Sequence, residues 1–70
     1  METNLAIKTY RQGNGIYAQC NNGTYSTGWD DDWSDEHNHI NAAQRLADEM
    51  GVTNTLYSGP YNEDWLHVSS

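Results

Sequence analysis

Seventy residues carrying ten acidic against three basic side chains give a net charge of −7 and a pI near 4.4. A chain this short buries only about 60% of the surface its unfolded form exposes, so residues 1–70 read as a single acidic domain with one thin core. The negative field repels phosphate backbones and anionic lipid, which disfavours direct nucleic-acid and membrane binding, and it attracts basic protein surfaces.

Cys20 is the lone cysteine, so no internal disulfide can form. With no apolar run long enough for a signal peptide or a membrane span, a reducing cytoplasmic setting is expected. Domains of this size often recruit a staple from outside, and a homodimer is one way to supply it. Low mean hydropathy points towards disorder, but three tryptophans, five tyrosines and regular turn signals argue for a fold.

Leu5, Ile7 and Thr9 alternate with Ala6, Lys8 and Tyr10, the period of a half-buried strand running from Leu5 to Arg11. Gly13-Asn14-Gly15 ends it, and Ile16 to Cys20 alternates again. Asn22-Gly23 is a strong hairpin signal because both central positions of that turn need positive φ. A turn centred there sets Cys20 opposite Tyr25, Ala18 opposite Thr27 and Ile16 opposite Trp29 in a third strand from Thr24 to Trp29. Ser34 then caps a helix over Asp35 to Met50, with Asp35 and Glu36 suiting the positive end of its dipole. Ile40, Ala43, Leu46, Ala47 and Met50 form the expected buried stripe, and Gly51 supplies the left-handed terminal residue. Val52 to Ser58 and Trp65 to Ser69 read as two more strands, with Leu56, Leu66 and Val68 inward and Gly59-Pro60 turning between them. The expected architecture is α+β: a two-layer antiparallel sheet in β-β-β-α-β-β order with one helix on one face. Lys8, Tyr10, Tyr17, Gln19, Thr24 and Ser26 are expected on the open face.

The stretch Trp29-Asp30-Asp31-Asp32-Trp33-Ser34-Asp35-Glu36-His37 concentrates five carboxylates and two tryptophans. Acid/base catalysis needs carboxylates whose surroundings drive their pKa values apart, which a solvated turn does not offer. His37, His39 and His67 accompany no Gly-x-Ser-x-Gly elbow, and Cys20 reads as a small core residue. No enzyme and no cofactor are therefore expected. No metal is expected either, because the acidic run lacks the spacing and glycine of a calcium loop and His37 and His39 diverge on a helix. Trp29 is expected to close the core at the end of its strand, and Trp65 to flank the last strand. Trp33 either staples the helix start or stands exposed among the acids as an anchor for a basic partner. Asp48 and Glu49 oppose the dipole in the last helical turn, a placement against local preference that fits a binding role, with Arg45 offsetting part of it. The expected partner-binding residues are Asp30, Asp31, Asp32, Trp33, Asp35, Glu36, Asp48 and Glu49.

In size, charge and layout the chain resembles the small phage-encoded inhibitors of host defence, notably the anti-CRISPR proteins. That group shares no common sequence pattern, so none of its residues is carried onto a position here. The resemblance implies inhibition by binding in the host cytoplasm, through an acidic, DNA-mimicking surface that occupies a nucleic-acid-binding groove of a CRISPR effector subunit. The competing expectation is a small regulatory or structural interaction module whose charge serves solubility. Acids gathered on one surface favour the first, and acids spread evenly favour the second.

Overall fold

The computed structural model describes residues 6–21, 23–52 and 56–69. Strands β1 (Ala6–Gln12), β2 (Gly15–Cys20) and β3 (Gly23–Gly28) precede helix α1 (Asp35–Glu49), and strands β4 (Leu56–Tyr61) and β5 (Asp64–Ser69) follow it. All pairings are antiparallel in one sheet of order β3-β2-β1-β5-β4, so the fold is the expected α+β arrangement with the helix on one face. α1 carries the chain from the β3 edge to the β4 edge, and β5 closes the centre against β1. The helix packs chiefly on β2, β3 and β1 and more lightly on β5.

Turn chemistry sets the registers. Gly13, at φ 60, occupies the first central position of the β1–β2 turn, where a two-residue hairpin of this kind requires positive φ. The β2–β3 pairing sets Cys20 opposite Gly23, Ala18 opposite Tyr25 and Ile16 opposite Thr27, two residues away from the expected register. Asn22 lies outside the described residues, but Gly23 is the first residue of β3 rather than part of a turn. A slip of two preserves the side-chain parity, so Tyr25, Thr27 and Trp29 keep the expected inward side.

The last hairpin departs further. Its turn is at Asn62-Glu63, with Tyr61 opposite Asp64 and Asn62 in the left-handed region at φ 57, a conformation asparagine tolerates. Gly59 and Pro60 are strand residues of β4, which lies at the sheet edge, where a missing N–H is tolerated. Leu56 packs inward as expected. Leu66 and Val68 do not: they are 38% and 41% exposed, while His67 and Ser69 are buried. The inward places are filled instead by His67, which joins Thr9 in a polar chain, and by Ser69. Val52 is not strand, and residues 53–55, also expected in that strand, lie outside the described residues.

The helix begins as expected, with the Ser34 hydroxyl accepting from the His37 backbone N–H at 3.1 Å. It ends in a Schellman motif: Val52 N–H donates to the Ala47 carbonyl, Gly51 N–H to that of Asp48, and Gly51 sits at φ 74. Ile40 is the error in the expected stripe. It is 37% exposed, and the buried positions are Asn38, His39, Ala42, Ala43, Leu46 and Ala47, because two polar residues take inward places at the first turns. Three alanines on that face let the helix lie close over Ile7, Ile16 and Ala18. Met50, Cys20, Tyr25 and Trp29 border this core, with the Cys20 thiol 3.3 Å from the Met50 sulfur.

Leu46, 2% exposed, anchors the helix. Leu46→Ala is expected to cost about 2–5 kcal/mol in urea unfolding, and Ile40→Ala less than about 1 kcal/mol. Equal losses from both would return Ile40 to the core.

Candidate functional site

The acidic segment is a rigid turn rather than a free loop. Trp33 N–H donates to the Asp30 carbonyl at 3.2 Å, and the Asp30 carboxylate accepts from Asp32 N–H at 2.9 Å, the local bond that aspartate makes to backbone two residues on. Asn38, buried at the first helical turns, clamps the segment from beneath. Its Oδ1 accepts from Asp30 N–H at 2.9 Å, and its Nδ2 donates to the carbonyls of Asp30 at 2.9 Å and Ser34 at 3.0 Å. Its sequence signal was a polar residue at an inward helical position just past the cap.

Trp33 stands outward, 37% exposed, and does not staple onto the buried Asn38. Its indole stacks on the His37 imidazole with centroids 4.2 Å apart and planes inclined by 6°. Ile40, one turn on, lies beside His37 on the same outer face. Trp33, His37 and Ile40 therefore form an exposed stripe directly after the acidic turn, with Glu36 one turn before Ile40 on the same side of the helix and Asp35 on the side of His39. His37 and Ile40 were not among the expected site residues.

Asp48 and Glu49 are not brought to this group. They lie at the far end of the 15-residue helix, about 20 Å along its axis, with Gln44 and Arg45 exposed between. The acids thus form two poles rather than one run. Asp48 accepts from Gln44 Nε2 at 3.2 Å, and among the described residues Arg45 forms no ion pair with either acid.

A second constellation lies between helix and sheet. Thr9 Oγ1 is 2.7 Å from His39 Nδ1 and 2.8 Å from His67 Nε2, and His67 Nδ1 is 2.7 Å from Ser58 Oγ. A hydroxyl has one proton to give, so Thr9 donates to one ring and accepts from the other. Protons consequently run one way along the chain Ser58–His67–Thr9–His39, in either direction, with both rings neutral. Charging both rings would aim two N–H donors at Thr9 and leave its own proton without an acceptor in the chain. His39 also stacks on Trp65, with centroids 5.8 Å apart, and meets the Trp29 edge at 5.9 Å, while Arg11 lies over the outer indole of Trp29 at 4.2 Å.

Burial lowers the His67 pKa to about 4, helped by the neighbouring His39. Burial also lowers that of His39, opposed by the charges of Asp35 and Asp64 and by a backbone hydrogen bond with Thr9. Ser58 is half-buried, with its hydroxyl held against the His67 ring. Among the described residues no group of three or more His, Cys, Asp or Glu is placed to hold a metal ion, and no helix is long and apolar enough to cross a membrane.

No family model, curated protein or solved structure matches the chain.

The buried rings make stability depend on pH with a definite sign. Unfolded histidine titrates near 6.5 and folded His67 near 4, so between these values the unfolded chain holds the extra proton and stability falls as pH is lowered. At pH 5 the loss attributable to His67 is about 2 kcal/mol. Relief of self-repulsion in an anionic protein acts in the opposite sense. The urea midpoint of the wild type is expected to drop from pH 7 to pH 5, and that of His67→Gln to drop by much less. Parallel drops would locate the titrating group elsewhere.

Proposed function

We propose that the protein is a non-enzymatic binding protein of the reducing cytoplasm, and that it engages a basic protein surface of the kind that holds nucleic acid. The observation that carries this reading is the exposed stripe Trp33–His37–Ile40 directly after the ordered acidic turn Asp30-Asp31-Asp32. An aromatic centre supplies binding energy once desolvated, and charge beside it supplies encounter rate and orientation. The clamp from Asn38 adds to this, since a turn already held in place loses little entropy on binding. Inhibition of a phage-targeting CRISPR effector, by occupying its nucleic-acid groove, is the specific form that size and charge support best. Under this reading Asp30, Asp31, Asp32, Trp33, Asp35 and Glu36 make the contact together with His37 and Ile40, and Asp48 and Glu49 serve a separate pole.

The test is inhibition of target-DNA binding across a panel of purified CRISPR effectors, with association rates measured for any effector that is inhibited. Asp30, Asp31 and Asp32 replaced together by Asn keep the turn's hydrogen bonds while removing three charges. This variant is expected to associate more slowly and with a weaker dependence on salt. Trp33→Ala is expected to speed dissociation about tenfold or more, as loss of an interface anchor does. Inhibition that survives both changes at every salt concentration would exclude this surface, and absence of inhibition across the panel would remove the effector reading.

A further inference from the structure

The sheet face opposite the helix is uncovered, and its pattern differs from that of the acidic side. Lys8, Tyr10, Tyr17, Gln19, Thr24 and Ser26 stand on it as expected, joined by Tyr57, Tyr61, Asp64, Leu66 and Val68 through the observed β5 register. Tyr57 and Tyr61 are 61% and 57% exposed, and the Tyr10 and Tyr17 rings stack with centroids 5.4 Å apart. Gly59 lies between Tyr57 and Tyr61 with open space where a Cβ would stand, leaving a notch beside Leu66. Lys8 and Asp64 form an ion pair at 3.3 Å, so the charges on this face cancel while the excess acids lie along the helix layer, the turn before it and the β4–β5 turn.

We propose that this face is a dimer interface with a second copy of the chain, formed around Leu66, Val68, Tyr57, Tyr61 and the Tyr10–Tyr17 stack. A neutral, aromatic surface offers nothing to a charged partner, whereas an identical neutral surface matches it. Face-to-face pairing also points both acidic layers outward, the arrangement in which two chains of charge −7 repel least. A two-fold contact brings the same patch of each copy together, the isologous arrangement in which every contact is made twice. The area fits a weak, reversible pair: five strands about 4.8 Å apart and six residues at about 3.3 Å give a footprint of roughly 480 Å² per copy, or about 960 Å² in all, in the class of transient rather than permanent interfaces.

Sedimentation equilibrium from about 1 μM to about 1 mM spans the range expected for an interface of this size. The expected result is a reversible monomer–dimer equilibrium reaching twice the chain mass of 7.9 kDa and tightening as salt is raised. That salt dependence is opposite in sign to the one expected for a basic partner, so failure of either idea leaves the other standing. Leu66→Arg and Tyr57→Asp, both at exposed positions, are expected to shift the equilibrium to monomer at least tenfold with an unchanged circular-dichroism spectrum. Ile40→Glu, on the outer helix face, is expected to leave it unchanged. A monomer throughout, a dimer lost only with Ile40→Glu, a dimer indifferent to all three changes, or open-ended assembly would each overturn the proposal.

Discussion

A single hydroxyl, Thr9 Oγ1, joins two imidazoles across the boundary between helix and sheet. Buried polar groups are costly unless paired, and among the described residues no buried side-chain nitrogen or oxygen lacks a partner. That requirement dictates more than it first suggests. It holds His39 inward at the first turns of α1, and with it the rotation of the helix that puts Asn38 beneath the acidic turn and Ile40 outside. It also claims the inward positions of β5 for Trp65, His67 and Ser69, which turns Leu66 and Val68 to the other face. The position of the acidic turn and the apolar character of the open face are thus two results of one buried polar chain.

Such a chain specifies more than it stabilises. Apolar residues of similar volume would fill the layer without needing a fixed direction of protons, and the small core of Ile7, Ile16, Ala18, Leu46 and the helix alanines has little surplus to offset an error. What the polar chain does is tie one rotation of the helix to one register of β5, a selection made by the meeting of Thr9, His39, His67 and Ser58. With so thin a layer of hydrophobic contacts, that selection decides which surfaces face outward.

The strands, their order along the chain, the Ser34 cap and the Gly51 terminus were legible because each rests on local chemistry: alternation, a hydroxyl acceptor, a residue free to take positive φ. The failures share a different cause. Gly59-Pro60 is a stronger breaker than Asn62-Glu63 on composition, and only the edge position of β4 explains why Pro60 is tolerated and the turn lies later. Ile40 looked buried because apolar residues are assigned inward by default, whereas Asn38 and His39 hold those places through partners 8 and 30 residues away in sequence. The acids and Trp33 could be named from the sequence, but their division into two poles could not. That division depends on which helical residues between them carry charge and on the failure of Arg45 to bridge.

The sheet order has a consequence for how the chain acquires its structure. β1 lies in the middle of the sheet, with Ala6 paired to Val68 and Thr9 to Trp65, so its second edge stays open until β5 is available. A chain emerging from the ribosome can form the β1–β2–β3 meander and the helix early, but the central seam must close around a loop of more than 50 residues. Until then the second edge of β1 is unpaired and the Thr9 hydroxyl lacks His67. A chain without β5 would therefore be a sheet with a gap at its centre rather than a shorter version of the same fold, because β5 is the strand between β1 and β4.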